Sequence, residues 1–459
     1  MERVSGLRFV VVGAGRSGLA LTRFLLDRGG EVVLTDNRSE GLDPEAREMG
    51  RRGARLDLGG HDEAAFTRAD RVLVSPGVPL TLPALESARR AGVAVWGEIE
   101  FASRFLKGRI IGITGTNGKS TTTTLTGLLL SEGGLDAVAC GNLGTPLIEM
   151  ASLDSPSRHY VVELSSFQLE AIETFRPHVA ALLNVAPDHQ DRYAGHADYR
   201  KAKGRIFENQ RPEDRALLNR DDAATLEFAG GIAAGVSYFS RLEEVEDGAC
   251  VEGGRVVIRN AGRSAEVLPV DQVPLVGVHN LENVLASVAA ADLCGVAPRS
   301  MASAIRRFRG LPHRIELVAE IDSVRYYDDS KATNVAATAK SLSGFPRGVI
   351  LILGGKDKGG DFASLVPLIR ERAAGLVFMG KARDSIRAQV GEPVPARTVV
   401  TMAEAVAAAK EMAAPGQVVL LAPGCASFDA YRNYEERGED FRRKTLSLAG
   451  EPPAPGGGH

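Results

Sequence analysis

The sequence has few cysteines, no long apolar run and little net charge. Its cysteines lie far apart without any CxxC pair, so neither a disulfide framework nor a zinc ribbon is expected, and a reducing compartment fits. There is no apolar stretch of the roughly 18 residues that a membrane span needs, and the start MERVSGLRFVVVGAG lacks a signal-peptide pattern. These absences predict a cytoplasmic protein without membrane insertion.

The charge balance argues against a nucleic-acid partner. The chain has 55 Lys and Arg against 58 Asp and Glu, a formal net charge of -3, and no basic stretch is interleaved with aromatic residues. The hydrophobic content of 44% is ordinary for a globular protein. At roughly 150 residues per domain, 459 residues predict two to four domains, with three as the central expectation.

Strands and helices are predicted to alternate along almost the whole chain. LRFVVVGAG, EVVLTDN and RVLVSPGVP read as buried strands in the first block, and RIIGITGTNGKS and VRYYDDS open two further blocks of the same kind. We therefore predict the α/β class: a Rossmann-like N-terminal domain, a central phosphate-loop ATPase-like parallel sheet and a Rossmann-like C-terminal domain. The predicted bounds are 1–100, 101–310 and 311–450, followed by a disordered Pro- and Gly-rich tail, 451–459.

The first glycine cluster, GAGRSG, fits a G-x-G-x-x-G phosphate-binding turn. Gly13, Gly15 and Gly18 follow a predicted strand and open a predicted helix, and Asp36 ends the next strand. Taken alone, the pattern favours a nicotinamide dinucleotide, with Asp36 on the ribose. The same glycines would also serve tight packing of helix on strand, and the pattern does not identify the nucleotide.

The second cluster, ITGTNGKST, is the stronger phosphate-loop signal. Its amides can surround a phosphate, Lys119 supplies a positive charge, and the Ser120 hydroxyl can reach a magnesium ion. The strict G-x-x-x-x-G-K-[ST] pattern would need glycine at position 113, where Ile113 stands, while glycines occupy positions 112 and 115. The loop is therefore predicted to be a variant of the phosphate loop.

Two further strand ends carry residues suited to a phosphate and metal site. Glu163 follows the apolar run YVV, and His189 follows Asp188 in the polar stretch PDHQDR beyond another strand. Ligands of doubly wound sheets lie outside the carboxyl ends of the strands. We therefore expect Ser120, Glu163 and His189 to converge on one crevice.

These motifs, in this order, resemble the muramyl ligases, a family of ATP-dependent amino-acid ligases of peptidoglycan synthesis. The resemblance covers nearly the whole chain, through GTNGKST, ELSSFQLE, NVAPDHQDRY, YRKAKGRIFEN, GVHNLENVLAS, GLPHRIE, DDSKATN and APGCASFDAYRNYEERG. The opening GAGRSG domain and the CASFDAYRNYEERG ending are most similar to the member that adds D-glutamate to UDP-N-acetylmuramoyl-L-alanine. The resemblance implies those two partners, ATP, two Mg²⁺ sites and an acyl-phosphate intermediate, and we expect a monomer.

The resemblance also implies roles for individual residues. Lys119, His189 and Lys203 would be catalytic, with Lys203 carbamylated and joining Ser120, Glu163 and His189 as metal ligands. The ATP-binding residues would be Gly115, Thr116, Asn117, Gly118, Lys119, Ser120, Thr121, Asn280, Asn283, Arg314 and Asp329. The UDP-substrate would meet Ser17, Asp36, Arg38, Gly77 and Asn142. D-glutamate would meet Lys331, Thr333, Lys358, Ser427 and Tyr434.

Three alternatives remain open at this point. A nicotinamide-dependent dehydrogenase would explain GAGRSG and Asp36 but leaves GTNGKST, Glu163 and His189 without a use. A nucleotide-binding switch or scaffold would need the phosphate loop alone. A sibling ligase that adds a different amino acid would keep all the motifs, because a few C-terminal side chains select the amino acid.

Overall fold

The computed structural model describes residues 3–186, 188, 192–193, 195–260, 262–357 and 359–448, which form three sheets. The predicted tail, 451–459, and the predicted site residues His189 and Lys358 lie outside the described residues. Contacts divide the chain into two compact units. The first runs to Val273 and includes Leu281–Arg307, and the second includes Pro274–Asn280 and begins again at Phe308.

The first sheet has five parallel strands in the order β3-β2-β1-β4-β5. The strands are β1 Arg8–Val12, β2 Glu31–Asp36, β3 Arg55–Leu58, β4 Arg71–Val74 and β5 Ala94–Gly97. The helices are α1 Arg16–Leu26, α2 Pro44–Arg51, α3 Glu63–Arg68, α4 Pro83–Arg90 and α5 Glu98–Ser103. Four of the five β1 residues are buried, as expected for a central parallel strand covered on both faces.

The second sheet has nine strands in the order β14-β13-β12-β11-β10-β9-β6-β8-β7. The strands are β6 Arg109–Thr114, β7 Ala137–Gly141, β8 His159–Glu163, β9 Val179–Leu182, β10 Arg215–Asn219, β11 Gly235–Ser240, β12 Gly248–Glu252, β13 Arg255–Asn260 and β14 Arg263–Pro269. The helices are α6 Lys119–Glu132, α7 Leu147–Met150, α8 Ser166–Glu170, α9 His196–Gly204, α10 Ala223–Leu226, α11 Val278–Leu293 and α12 Pro298–Arg307.

The second sheet departs from the parallel sheet expected for this block. Strands β6 to β12 pair in parallel, but β12, β13 and β14 form an antiparallel meander at one edge. Tight turns explain the difference: Gly253 and Gly254 have φ of +55° and +76° between β12 and β13, which suits a two-residue hairpin connection. The core of the block remains the predicted parallel α/β sheet.

The third sheet lies in the second unit and has the order β15-β16-β20-β17-β18-β19. The strands are β15 Glu316–Ile321, β16 Val324–Asp328, β17 Val349–Gly354, β18 Ala373–Met379, β19 Ala396–Thr398 and β20 Val418–Leu421. The helices are α13 Val335–Ser343, α14 Val366–Arg372, α15 Arg383–Val390, α16 Met402–Met412 and α17 Tyr434–Leu448. Only β15 pairs antiparallel among these six strands.

The observed architecture confirms the predicted α/β class and its three blocks. The domain bounds at residues 100 and 310 stay predictions, because the contacts join the first two sheets in one unit. None of the helices in the described part of the chain is both long enough and apolar enough to cross a bilayer.

Two glutamates of α5 are buried, and their pKa values are shifted in opposite directions. Glu98 accepts a hydrogen bond from the Ile148 N–H at 2.7 Å, and burial raises its pKa to about 7. For Glu100, burial would also raise the pKa, but hydrogen bonds from the N–H groups of Glu173 and Thr174 outweigh it. The pKa of Glu100 is therefore lowered, and the two carboxyl groups should respond to pH with opposite signs.

Replacing Glu98 with glutamine is expected to remove a pH dependence of stability. Its folded pKa lies above the ordinary 4.5, so the folded state retains a proton that the unfolded state releases. The free energy of unfolding should therefore fall by about 3 kcal/mol as pH rises from about 4.5 to above 7, and Glu98→Gln should lack this loss. Urea unfolding at several pH values measures the difference between the two proteins.

Glu100→Gln is the matched control for this prediction. The depressed pKa of Glu100 stabilises the fold above the ordinary pKa and is lost as pH falls. This variant should therefore be less stable than the wild type at neutral pH and approach it in acid. Identical pH profiles for the wild type and Glu98→Gln would contradict the assignment.

Candidate active site

The second glycine cluster forms a phosphate loop between β6 and α6. β6 ends at Thr114, α6 begins at Lys119, and Gly115 and Gly118 have φ of +157° and +85°. A Cβ on Gly118 would lie 2.1 Å from Asn283 Oδ1, so glycine is required there for both conformation and space. The N–H groups in the first turn of this 14-residue helix point to its N-terminal end, where an anion is favoured.

The loop is held in shape by the segment that follows β9 and by helix α9. The Thr116 N–H donates to the Asn184 carbonyl at 3.0 Å, and the Asn117 N–H donates to Asn184 Oδ1 at 2.8 Å. Thr116 Oγ1 lies 3.2 Å from the Tyr199 hydroxyl. Asn184 and Tyr199 were not among the predicted site residues, because nothing in their local sequence indicates contact with a loop about 70 residues away.

The predicted ATP residues of this loop are brought together by its conformation. Lys119 Nζ donates to the carbonyls of Gly115 and Thr116 at 2.9 and 3.1 Å, which keeps the ammonium group over the loop. Ser120 and Thr121 are buried in the first turn of α6. One positive charge and several helix N–H groups therefore face the same small volume.

Glu163 lies beside this loop, at the end of β8 next to β6. Its side chain is buried, and Oε1 accepts a hydrogen bond from Asn142 Nδ2 at 2.7 Å. Oε2 is also buried and has no hydrogen-bond partner among the described residues. A buried carboxylate oxygen beside a phosphate loop is a suitable ligand for magnesium, which prefers oxygen donors.

Lys203 reaches the phosphate loop from α9. It is 1% exposed, donates from Nζ to the Gly115 carbonyl at 2.8 Å, and lies 4.6 Å from the centroid of the Tyr199 ring. Burial, together with the nearby positive charge of Lys119, lowers the pKa of Lys203 to about 6, against the opposing effects of Asp188 and Glu163. The amine is therefore mostly neutral at pH 7, in contrast to the charge of an ordinary surface lysine.

The first glycine cluster also forms a turn between β1 and α1. A Cβ on Gly18 would lie 1.8 Å from the Gly13 carbonyl oxygen, so this glycine is required for close packing of helix on strand. Asp36 Oδ2 accepts from the Ala14 N–H at 2.8 Å and from Arg38, and this bonding lowers the pKa of Asp36 to about 2. Asp36 thus holds both the turn and Arg38 in place.

The other predicted UDP-substrate residues lie around this turn or beside Glu163. Ser17 is in the first turn of α1, and Gly77 is exposed two residues after Ser75. Ser75 Oγ donates to the Gly13 carbonyl at 3.1 Å, which places the SPGVP segment against the GAGRSG turn. Asn142 lies at the end of β7, where it contacts Glu163.

In the second unit, residues predicted to bind the amino acid gather around the start of α17. Lys331 Nζ donates to the Tyr434 hydroxyl at 3.0 Å, and the Thr333 N–H donates to the Lys331 carbonyl at 2.8 Å. Ser427 is buried in the segment that follows β20. These contacts bring Lys331, Thr333 and Tyr434 together.

The contacts of the remaining predicted ATP residues differ from one residue to the next. Burial raises the pKa of Asp329 to about 6, and its carboxylate accepts a hydrogen bond from Ser341. Arg314 lies in the same unit and pairs through its backbone with Leu311. Asn280 and Asn283 both lie in α11, and the Asn280 side-chain amide donates to the Val276 carbonyl at 2.7 Å.

A buried pair that joins His313 of GLPHRIE to Asp328 at the end of β16 was not predicted from the sequence. His313 Nδ1 lies 2.7 Å from Asp328 Oδ2, and His313 has φ of +61°. Burial would lower the pKa of His313, but the bond to Asp328 outweighs it and the pKa is raised. Glu316 lies close enough to form, with His313 and Asp328, a group of three possible metal ligands. Its carboxylate already accepts hydrogen bonds from Arg442 and from the His313 N–H. The group therefore fixes the chain before β15.

The fold and this site define a phosphate-loop protein of the α/β class, and family comparisons identify it further. Three family models match in series: the Mur ligase MurD-like N-terminal domain at residues 7–97, the Mur ligase middle domain at 113–291 and the Mur ligase glutamate ligase domain at 313–425. The chain belongs to the Mur ligase family.

Full-length relatives and solved structures agree with this membership. The chain is 46% identical to a UDP-N-acetylmuramoylalanine--D-glutamate ligase from Geobacter metallireducens, across 98% of this chain and 100% of that protein. It is 44% identical to the protein of the same name from Koribacter versatilis, across 97% and 98% of the two chains. A UDP-N-acetylmuramate-alanine ligase structure from Thermotoga maritima shares the fold, with TM-score 0.59, 18% identity and coverage of 96% and 100%.

Proposed function

We propose that this protein is an ATP-dependent ligase that adds D-glutamate to UDP-N-acetylmuramoyl-L-alanine in peptidoglycan synthesis. The observation that carries the chemistry is the convergence of Lys119, Glu163 and Lys203 on one phosphate loop. The choice of substrates is supported by relatives of that name that are 42% to 46% identical over nearly the whole chain. The use of ATP and of a UDP-sugar also supports a cytoplasmic location.

The proposed reaction has two steps because a carboxylate is a poor acceptor for an amine. The L-alanyl carboxylate attacks the γ-phosphorus of ATP, which forms an acyl phosphate and releases ADP. The amine of D-glutamate then attacks the acyl carbon, the amide bond forms, and phosphate leaves as the nitrogen loses a proton. Such transfers require the protein to align the reactants and to neutralise charge. The Lys119 ammonium group, which lies over the phosphate loop, would supply positive charge there.

The donors of the chain fit a magnesium ion at the phosphate loop. Glu163 Oε2 is buried with no partner within the described ranges, and the Ser120 hydroxyl lies at the start of α6. Magnesium at this position would neutralise the charge of the β- and γ-phosphates. A second magnesium, held by His189 and a carbamylated Lys203, belongs to the same proposal.

Carbamylation of Lys203 is supported by its surroundings. A carbamate forms when a neutral amine attacks carbon dioxide and loses a proton, and the low pKa of Lys203 supplies that neutral amine. The product is an anion beside Lys119, where the positive charge of Lys119 would stabilise it and would disfavour an ammonium group. A carboxylate-like oxygen would also be a better magnesium ligand than an ammonium group.

The remaining residues are proposed to bind the three substrates. The UDP-substrate would contact Ser17, Asp36, Arg38, Gly77 and Asn142. ATP would contact residues 115–121 together with Asn280, Asn283, Arg314 and Asp329. D-glutamate would contact Lys331, Thr333, Lys358, Ser427 and Tyr434, where two lysines suit its two carboxylates. With domain bounds at 100 and 310, the ATP residues would come from the central and the C-terminal domain, and Asn142 of the central domain would join the N-terminal residues at the UDP-substrate.

Release of phosphate from ATP tests this function directly. The protein is supplied with Mg²⁺, ATP and UDP-N-acetylmuramoyl-L-alanine, and D-glutamate, L-glutamate, L-lysine and meso-diaminopimelate are added separately. We expect turnover with D-glutamate alone and a product heavier by one glutamyl residue. Turnover with another amino acid would replace the proposed specificity, and the absence of turnover with all four would overturn the function.

A further inference from the structure

The loop 142–146, between β7 and α7, is fixed tightly at its start. The Gly141 N–H donates to the Thr145 carbonyl at 2.8 Å, which closes the loop into a compact turn. Gly141 has φ of +92°, and a Cβ there would lie 2.5 Å from the Glu163 carbonyl oxygen. The start of the loop therefore packs closely against the end of β8 at Glu163.

Asn142 binds Glu163 twice. Its backbone N–H donates to the Glu163 carbonyl at 2.9 Å, and its side-chain Nδ2 donates to Glu163 Oε1 at 2.7 Å. The second bond fixes the carboxylate and leaves Oε2, which is buried and unpartnered among the described residues, as the oxygen available to a cation. Asn142 is thus a positioning residue for the proposed magnesium ligand.

The other side of the same loop is bound by the GAGRSG turn. Arg16 Nη1 donates to the Gly144 carbonyl at 2.8 Å, and Arg16 is the first residue of α1, directly before Ser17. Gly144 has φ of +70° and open space where a Cβ would lie, and Arg16 binds its carbonyl from this side. One short loop therefore contacts both the turn of the first sheet and the carboxylate of the second.

The segment after the loop is also held by contacts to neighbouring side chains. A displacement of the loop is therefore not absorbed by a movement of α7. The Ile148 N–H donates to Glu98 Oε1 at 2.7 Å, and Glu149 pairs with Arg23 at 3.3 Å. A shift of Gly144 by a ligand at the GAGRSG turn would then be passed on through Leu143, the one residue that separates it from Asn142. The carboxylate of Glu163 would move with the amide of Asn142.

We propose that the loop 142–146 couples the UDP-substrate pocket to the magnesium carboxylate, with Arg16 anchoring the loop and Asn142 positioning Glu163. This inference rests on the proposed function, since it assumes those two ligands. Coupling between sites is reciprocal, so occupancy of the UDP-substrate pocket should tighten binding of metal and nucleotide, and the converse. Typical couplings of this kind change affinity by about 5-fold or more.

Binding of Mn²⁺ tests the coupling without turnover. The probe is Mn²⁺ in place of Mg²⁺, measured as free ion by electron paramagnetic resonance with the β,γ-imido analogue of ATP, first without and then with UDP-N-acetylmuramoyl-L-alanine. The UDP-substrate should tighten Mn²⁺ binding to the wild type, and Arg16→Ala should lose this effect. Arg16→Ala should weaken Mn²⁺ binding several-fold although Arg16 itself is no metal ligand, and Arg16→Lys should restore it by keeping a donor to Gly144. Arg47→Ala, an exposed arginine of α2, is the matched control.

A double-variant cycle then separates the loop from other effects. If both residues act through one loop, Asn142→Ala with Arg16→Ala should weaken Mn²⁺ binding no more than Asn142→Ala alone. Independent, additive losses would overturn the proposal, as would wild-type Mn²⁺ affinity in Arg16→Ala. Calorimetry with UDP-N-acetylmuramoyl-L-alanine is run in parallel: failure of the wild type to bind it would overturn the proposed function, and the Mn²⁺ result would still decide the loop.

Discussion

Replacing Lys203 with alanine is expected to lower kcat by roughly 10²- to 10³-fold, the size seen when one preorganised electrostatic group is lost. The side chain is 1% exposed, and its Nζ lies 2.8 Å from the Gly115 carbonyl, so the change occurs at the phosphate loop itself. It removes the proposed carbamate, and with it the anion that would face Lys119 and hold a magnesium ion. Steady-state kinetics with saturating substrates measures the loss.

Three controls separate this role from a structural one. Lys201→Ala changes an exposed lysine of the same helix and should keep wild-type kcat. Acetate or formate should partly restore Lys203→Ala, because a small carboxylate can enter the space left by the carbamate. In ¹³C-bicarbonate, the wild type should show a carbamate carbon signal that Lys203→Ala lacks; a fully active wild type without this signal would contradict the assignment.

The phosphate loop illustrates how much of the site the sequence predicts. GTNGKST indicated the loop, its lysine and its serine, and the structure explains why the glycine pattern is shifted. A Cβ on Gly112 would lie 3.0 to 3.2 Å from Leu164, Ile206 and Pro177, so this glycine serves packing inside β6. Gly115 and Gly118 are the glycines whose φ angles shape the loop.

Burial of a single side chain is much harder to predict from sequence. HADYRKAKG reads as a solvated basic helix, and Lys201 is indeed exposed, while Lys203 two residues later is buried. The difference is decided by the Tyr199 ring and by a carbonyl 88 residues away in the chain. Neither contact can be predicted from the local composition. Lys203 was therefore singled out only by the resemblance to the muramyl ligases.

Asp36 shows a second limit of sequence patterns. Its spacing from GAGRSG predicts a ribose-binding acid, and the structure gives it hydrogen bonds to the Ala14 N–H and to Arg38. Those bonds use both carboxylate oxygens within the protein. The pattern located the turn and its acid correctly in space, but the partner of the acid depends on Arg38, which the dinucleotide pattern does not include.

Arg437 is the residue of the second unit whose replacement should have the largest effect. It is 1% exposed in α17 and donates to Ser330 Oγ and to the Ser330 and Cys425 carbonyls at 2.8 to 3.0 Å. Burial lowers its pKa to about 10, so it remains charged at pH 7. Ser330 precedes Lys331, and Cys425 lies two residues before Ser427, so one guanidinium joins two segments of the proposed D-glutamate site.

Arg437→Met should therefore raise the KM for D-glutamate at least about 10-fold. Removing the donors leaves buried carbonyls without partners, at about 1–3 kcal/mol each, and the two segments would relax apart. Binding of UDP-N-acetylmuramoyl-L-alanine, whose proposed residues lie in the first unit, should stay unchanged in calorimetry. This split between two substrates distinguishes positioning of the amino-acid site from general unfolding.

Arg443→Met provides the matched control, because Arg443 is an exposed arginine of the same helix and pairs with Asp440, three residues earlier. It should keep the wild-type KM for D-glutamate. Arg437→Lys retains the charge but cannot reproduce three bonds in one plane, so a KM between those of the wild type and Arg437→Met is expected. A wild-type KM in Arg437→Met would show that the two segments hold their positions without the guanidinium. Equal losses for both substrates would assign Arg437 to the stability of the fold alone.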